Sequence, residues 1–580
     1  MKKFLQILVN HKWAIVLAVL VGIIIVFPQA YFRYDNKDIY QGIEINLGGA
    51  DEAFYLNRIQ EIRDGHFSLG NSCWIEGKDL PYLQPSLSEK INALTGQFFG
   101  LNLANTVLLE RFLFPIIIFL FIYVLVYFLT KRKITASMAA VVVLLSTELT
   151  SPRILWNLLI HQMPDRSLPF SHIISPQTHL LFFFGFLLFF WIFLENKKWI
   201  YGIISSIILG LSFYTYPYTW TFLYTFLGIL IIIFIYRKMW PEIKNIILIS
   251  LGGVIIASLY FWNIFKAMQY PLYSEISLRF GIVKTHLPQV GLTVLILLIL
   301  FLFFFPRLEE KKYSFFLALV LAPFIVLNQQ IITGMAMMPD HYHWYCHKPL
   351  ALIIIIIIIF SQIEKRIKKH FFKKIFIISL VGLILFVNFY NGILVQNKVY
   401  NIHKEPAIEN QQYGPVFEWL NNHSQKDEVI MTNNYVSRLV VIYTSLNSVT
   451  NLGSAHYYLA ADENQLWQRM FLEHRLNGLE GEEAFKIFSK DRIYISGEVY
   501  GEYYRKSYKG HENIPDEKIY SIAEEYKKSL DVPLKDILRK YQVKYLIWDT
   551  NTDPNWLIDK YSFFEQVHQV KNIKIYQMIY

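Results

Sequence analysis

Cysteine is almost missing from this sequence. Only Cys73 and Cys346 occur in 580 residues, which excludes a disulfide framework and leaves room for at most one bridge. Charge is scarce as well. Asp, Glu, Lys and Arg make up 17% of the residues and hydrophobic side chains 54%, too apolar a balance for an ordinary soluble protein. There is no CxxC or zinc-finger spacing, no GxGxxG and no GxxxxGKS/T, so nothing argues for nucleotide binding. Ser-His-Asp and HExxH arrangements are absent too, and no internal repeat is evident. The formal charge is +10 and the isoelectric point about 9.1. The basic residues sit in short loops between apolar runs, which is a membrane-orientation pattern and not a nucleic-acid face.

What the chain has in quantity is long apolar runs. A bilayer core takes roughly 20 apolar residues per helix. Runs of about that length lie near 13–32, 110–130, 134–150, 178–195, 199–216, 219–236, 245–266, 290–306, 313–333, 349–363 and 375–395, which predicts about eleven spans. The first, Trp13 to Phe32, is too long for a removable signal peptide and lacks its small-residue cleavage site, so it reads as a retained anchor.

Orientation follows from the loops. Lys2-Lys3 with Lys12, Lys131-Arg132-Lys133, Lys197-Lys198, Arg237-Lys238 with Lys244, Arg307 with Lys311-Lys312, and the Lys365–Lys374 stretch occupy every second connection. Lys and Arg stay cytoplasmic, so the N-terminus is expected inside and the C-terminus outside. The outside segments are then 33–109, 151–177, the turn Tyr214–Trp220, 267–289, 334–348 and the tail. The unusual polar clusters all fall on this face. The expected fold is a polytopic α-helical membrane protein, N-in/C-out, with a C-terminal extracytoplasmic α/β domain. Residues 1–395 form the membrane module, 33–109 its first outside loop with juxtamembrane helices, and 396–580 the soluble domain. In that domain Glu428–Thr432 and Lys544–Asp549 read as buried strands. Ile519–Leu530, Glu463–Leu476, Glu482–Phe488 and Leu534–Tyr541 read as helices, and Phe564–Val570 with Ile573–Met578 as a terminal hairpin. That mixture favours a small open sheet with flanking helices.

Three outside stretches carry chemistry. In the first, Gly48-Gly49-Ala50-Asp51-Glu52 opens a run in which Phe54, Leu56, Ile59, Ile62 and Phe67 recur near helical spacing, with Arg58, Glu61 and Arg63 between them. Such a segment is expected to lie along the membrane interface, apolar face down. Its carboxylates can act as a general base on a hydroxyl, or bind a divalent ion that steadies a phosphate leaving group. The plainer reading is that Asp51 caps the helix. The second stretch is His161-Gln162-Met163-Pro164-Asp165-Arg166, followed by His172 and His179; the alternative for Asp165-Arg166 is a surface turn. The third is Asp340-His341-Tyr342-His343-Trp344-Tyr345-Cys346-His347-Lys348. Its His, Asp and Cys content permits a transition metal, but the spacing fits no established ligand pattern. Substrate or lipid-phosphate contact by His341, His343 or Lys348 is the preferred reading. Arg279 in 267–289 is a further substrate-binding candidate, and Tyr214–Tyr218 offers aromatic surface.

The first span, the acidic pair, then Gln84-Pro85-Ser86-Leu87, Phe98-Phe99-Gly100 and Arg111 resemble the start of GT-C glycosyltransferases. The short inside loops, longer outside loops and extracytoplasmic α/β tail continue that resemblance. Gln84 departs from the His or Pro that many relatives carry before the proline, and the tail lacks a WWDYG-like motif, which argues against an oligosaccharyltransferase proper. The resemblance implies an enzyme of the cell envelope, in the plasma (inner) membrane, that transfers a sugar from a polyprenyl-phosphate donor to a glycan, lipid or protein acceptor. It makes Asp51 the catalytic carboxylate, Glu52 its neighbour and Asp165 the facing acid. Arg58 and Arg166 become available to the donor, Arg being suited to phosphate geometry. No cofactor is certain; a divalent cation held among Asp51, Asp165, His341 and His343 stays open. Membrane lipids are expected partners and nucleic acid is not. Two other readings are an O-antigen-type polymerase or ligase, and a lipid or solute transporter. A transporter would place ionisable residues near mid-membrane, where these spans are nearly charge-free.

Overall fold

The computed structural model describes residues 6, 9–146, 152–161, 168–289, 291–501 and 514–580. The protein is a polytopic helical membrane protein with a C-terminal α/β domain. Seven helical stretches among the described residues are long and apolar enough to cross a bilayer, and an eighth if Trp240–Ile256 and Ser258–Ala267, bent by 51°, form one span. Lys133–Leu145, Trp199–Tyr214 and Leu292–Phe304 are shorter apolar helices.

Close packing in the membrane part uses small residues. Helix α1 (Lys12–Asp35) lies against a later helix, Leu103–Thr130, at Gly22, where a Cβ would stand 2.9 Å from both Ile116 and the Phe112 carbonyl. With lipid as apolar as leucine, such backbone approach and inter-helix hydrogen bonds supply the association energy. Gln396 donates to the Ile24 and Ile25 carbonyls, and Asn391 to the Leu145 carbonyl. Both amides belong to one helix of 41 residues, His370–Asn410, about 60 Å long at 1.5 Å per residue. It is about twice the bilayer core. The expected domain boundary at 395/396 falls inside it, so the membrane part passes into the α/β part without a flexible linker.

The first loop departs from expectation. Helix α2 (Gly49–Arg63) does not rest on lipid. Phe54, Leu56, Ile59 and Ile62 are buried, and so are Asn57, Arg58 and Glu61. Phe54 shares a cluster with Trp74 of the same loop and with Tyr458 and Trp467 of the α/β side, while Ile59 and Ile62 cluster with Val107, Ile173 and Ile442. A helix with polar groups buried on one face and apolar groups on the other needs protein on both sides, and periodicity cannot tell a lipid face from a protein face. Of the expected apolar stripe only Phe67, beyond the end of α2, is exposed, and α3 (Leu87–Phe99) adds the exposed side chains Leu94, Phe98 and Phe99.

The tail folds as a five-stranded sheet in the order β4-β3-β5-β7-β6, where β3 is Val429–Met431, β4 Asn447–Ser448, β5 Val543–Asp549, β6 Phe564–Val570 and β7 Ile573–Met578. Strand β3 runs parallel to β4 and β5, and β7 antiparallel to β5 and β6. The expected strands and terminal hairpin are present. The two-residue β4 has no pattern to read. The first loop is grafted onto this edge: Ser448 N–H donates to the Cys73 carbonyl at 2.9 Å and the Trp74 indole to the Thr450 carbonyl at 2.9 Å. Arg469 clamps the junction, its guanidinium 3.7 Å from the Trp74 ring and 4.2 Å from that of Tyr541 and hydrogen-bonded to Glu76. Cys73 and Cys346 are free and buried in different clusters, so they form no bridge. A short antiparallel pair, β1 (Val283–Lys284) with β2 (Met335–Ala336), ties segment 267–289 to segment 334–348.

Beyond the C-terminal end of β3, Glu473 accepts from the Asn434 N–H at 3.3 Å. Burial pushes its carboxyl up to about 7, helped by the charges of Asp553 and Glu498 and opposed by the Asn434 bond. An acid raised in the folded state contributes stability that is full below its unfolded pKa, roughly 4.3, and lost as pH rises through the folded value. The thermal midpoint of the full chain in detergent should therefore fall between about pH 5 and pH 7. Glu473→Gln should flatten that decline; an unchanged slope would contradict the assignment.

Candidate active site around Asp51

The glycine pair before the carboxylates has two separate causes. Gly49 adopts φ +62°, and a Cβ on Gly48 would lie 2.8 Å from Glu52 Cβ and 3.0 Å from His172 Nδ1. The chain thus turns tightly enough to put Asp51 and Glu52 in the first helical turn, where the helix dipole favours negative charge.

The two acids then part company. Glu52 is 3% exposed; one oxygen accepts from Arg111 at 2.8 Å and the other from the Leu47 N–H at 3.2 Å. Glu52 therefore ties the helix start to the preceding chain. Asp51 is exposed. His172 lies beside the pair, within the electrostatic reach of Glu52, Arg111 and Asp51, and burial lowers its pKa below the ordinary histidine value. A neutral imidazole thus flanks the carboxylates.

Next to Asp51 stands a cluster of rings drawn from segments far apart in the chain. Tyr55, one helical turn on, and Tyr345 both lie within the field of the Asp51 carboxylate. Burial raises the Tyr55 phenol above its usual value, so it stays a donor. Ser175 is in hydrogen-bonding reach of both Tyr55 and Tyr216. Tyr216 stacks on His179 with centroids 4.5 Å apart, hydrogen-bonds His341 Nδ1, and meets Tyr345 edge-on. The first loop, segment 168–177, the 214–218 turn and the His341–Tyr345 segment therefore meet at one place. Such an arrangement presents an accessible carboxylate, neutral phenol and imidazole groups, and aromatic faces to a substrate.

The other sequence candidates are distributed differently. Arg58 is 1% exposed. Its Nε pairs with Glu89 at 2.5 Å and its Nη2 reaches the Gln84 and Pro85 carbonyls at 3.1 Å. Arg279 is likewise buried; it holds the His456 and Ala461 carbonyls and Glu275, fastening segment 267–289 to the α/β domain. Both arginines are natural phosphate candidates by charge, but Nε and Nη2 of Arg58 and both Nη groups of Arg279 are directed to structural partners. His343 Nδ1 lies 3.3 Å from that of His347, and the Lys348 ammonium sits 3.8 Å above the Trp344 ring. His341 alone of that segment's candidates enters the Tyr216 cluster. Asp165 and Arg166 lie outside the described residues. Among the described residues no three His, Cys, Asp or Glu side chains form a group able to hold a metal ion, so Asp51, His341 and His343 do not assemble one there.

Sequence reasoning passed over Tyr55, Glu89 and Ser175, and gave Arg111 and His179 no role of their own. Arg111 carried one usable signal, a charge at the entrance of an apolar run. Because it is fully buried, removing its partner leaves an uncompensated charge. Glu52→Ala should cost about 3–5 kcal/mol, while Asp51→Ala, at an exposed position in the first helical turn, should cost no more than about 1 kcal/mol. Chemical or thermal unfolding of the two purified variants checks the contrast.

No protein-family model and no curated protein matches the chain. Solved structures similar to it include ArnT from Cupriavidus metallidurans bound to undecaprenyl phosphate, at 9% identity, 97% of this chain, 98% of that chain and TM-score 0.47. Another is the apo oligosaccharyltransferase of Archaeoglobus fulgidus, at 12% identity, 93% of this chain, 70% of that chain and TM-score 0.46. A third is AglB from Archaeoglobus fulgidus with an inhibitory peptide and a dolichol-phosphate, at 11% identity, 93% of this chain, 70% of that chain and TM-score 0.43.

Proposed function

We propose that the protein is an integral-membrane glycosyltransferase of GT-C type, taking its sugar from a polyprenyl-phosphate donor and passing it to an acceptor at the outer face of the plasma (inner) membrane. The observation that carries this reading is the division between the paired acids. Glu52 is locked to Arg111, whereas Asp51 is exposed beside phenol, imidazole and aromatic groups from several outside segments. The alternation of basic loops supports the N-in/C-out orientation with about eleven spans, which puts this cluster at the outer leaflet.

In this reading the donor enters laterally from the bilayer with its sugar toward Asp51. The acceptor hydroxyl gives its proton to the Asp51 carboxylate as its oxygen bonds to the anomeric carbon. The bond from that carbon to the phosphate oxygen breaks, and the polyprenyl phosphate leaves with the electron pair. With Arg58 and Arg279 engaged elsewhere, the phosphate contacts fall to His341, His343, Lys348 and Arg166. Asp165 is the proposed facing acid. The α/β domain, held rigidly by the His370–Asn410 helix, covers the acceptor side. Whether the acceptor is a glycan, a lipid or a protein is decided by that surface.

A general base of this kind contributes about 10²–10⁴-fold. Asp51→Asn should lower transfer from a polyprenyl-phosphate-linked sugar by at least about 100-fold while the chain still unfolds cooperatively. Undiminished transfer by that variant would remove Asp51 from the chemistry.

A further inference from the structure

Glu89 and His179 are brought together by packing and have no sequence relation. Glu89 is on α3 and 1% exposed; His179 is on the helix Gln177–Asn196 and also 1% exposed. They share the wall of one small cavity with Tyr55, Ser88, Ser175 and Tyr216. The cavity leaves about 10 Å³ for the centre of a water-sized sphere, room for a single oxygen with its hydrogen.

Both side chains are under-satisfied at this place. Glu89 Oε1 pairs with Arg58 at 2.5 Å, but Oε2 is buried without a hydrogen-bond partner among the described residues. Neither ring nitrogen of His179 has one there. Its ring is held by stacking on Tyr216 at 4.5 Å and by the edge of Tyr345 at 5.5 Å. Buried polar atoms are rarely left in that state, since each costs about 1–3 kcal/mol. A carboxylate oxygen accepts only, whereas a neutral imidazole offers one donor and one acceptor. A single O–H group, of a ligand hydroxyl or of a water, satisfies both by donating to Glu89 Oε2 and accepting from His179.

We propose that this cavity is a subsite for one sugar hydroxyl, which makes Glu89 and His179 specificity-determining residues. The inference rests on the glycosyl-transfer reading above and adds to it a recognition site beside Asp51: Tyr55 lines the cavity and lies in the field of the Asp51 carboxylate. A site built around a hydroxyl rejects an analogue that lacks it strongly, because its own buried groups are then left unpaired.

The test uses the full chain in nanodiscs, a polyprenyl-phosphate-linked hexose, its monodeoxy series and a membrane extract as acceptor. The expected result is that one deoxy position lowers kcat/KM by as much as about 10⁴-fold while the others lower it little. His179→Phe, which keeps the stacking but removes both nitrogens, should erase that selectivity by slowing the parent sugar toward the deoxy rate. Glu89→Gln can disturb folding through Arg58, so the wild-type panel carries the decision. Transfer of every deoxy sugar within about threefold of the parent would overturn the subsite alone, leaving a structural water as the occupant. No transfer of any lipid-linked hexose, by a chain that folds, would overturn the glycosyltransferase reading and the subsite with it.

Discussion

The presentation of the first loop depends on the buried contact between Glu52 and Arg111. Arg111 is inaccessible to water on the helix Leu103–Thr130, and Glu52 reaches it from the loop at 2.8 Å. A charge in that position needs a partner, and the partner has to arrive at a fixed height on the helix. Gly48 permits the approach, because a side chain there would meet Glu52 and His172. Once Glu52 is engaged, the next residue outward on the same turn is Asp51, which is turned to solvent. One acid is held and the other is exposed.

Around that contact, charged groups serve chiefly as joints. Arg58 binds α2 to Glu89 of α3, Arg279 binds segment 267–289 to the α/β domain, and Arg469 lies between Trp74 and Tyr541. Each joins parts distant in sequence, and each is buried with directed hydrogen bonds, the condition under which a guanidinium is accommodated inside a protein. The groups beside Asp51 are of another kind. They are tyrosine, histidine and serine, which bury without a net charge and keep donors and acceptors available.

Much of the architecture was readable from residue order. Apolar runs mark membrane helices because the bilayer core demands about 20 apolar residues in a row. The strand near Val429–Met431 and the hairpin of Phe564–Val570 with Ile573–Met578 were legible because β-branched and aromatic residues alternate or cluster between turn residues. Helix α2 was legible as a helix but not in its surroundings. The spacing of Phe54, Ile59 and Ile62 is the same whether they meet lipid or the side chains of Val107 and Ile442. The two-residue β4 carries no period at all.

The sequence by itself determined that this chain lives in a membrane, that an α/β part follows the apolar runs, and that an acidic pair opens the first loop. These are properties of composition and local period, and the chain states them in order. Tertiary structure alone decided which carboxylate is exposed and which is a fastening, that Arg58 and Arg279 are joints, and that Tyr55, His172, His179, Tyr216 and His341 gather beside Asp51. Such facts depend on which distant segments pack together, and a buried ion pair or an unpartnered imidazole exists only once that packing has excluded water.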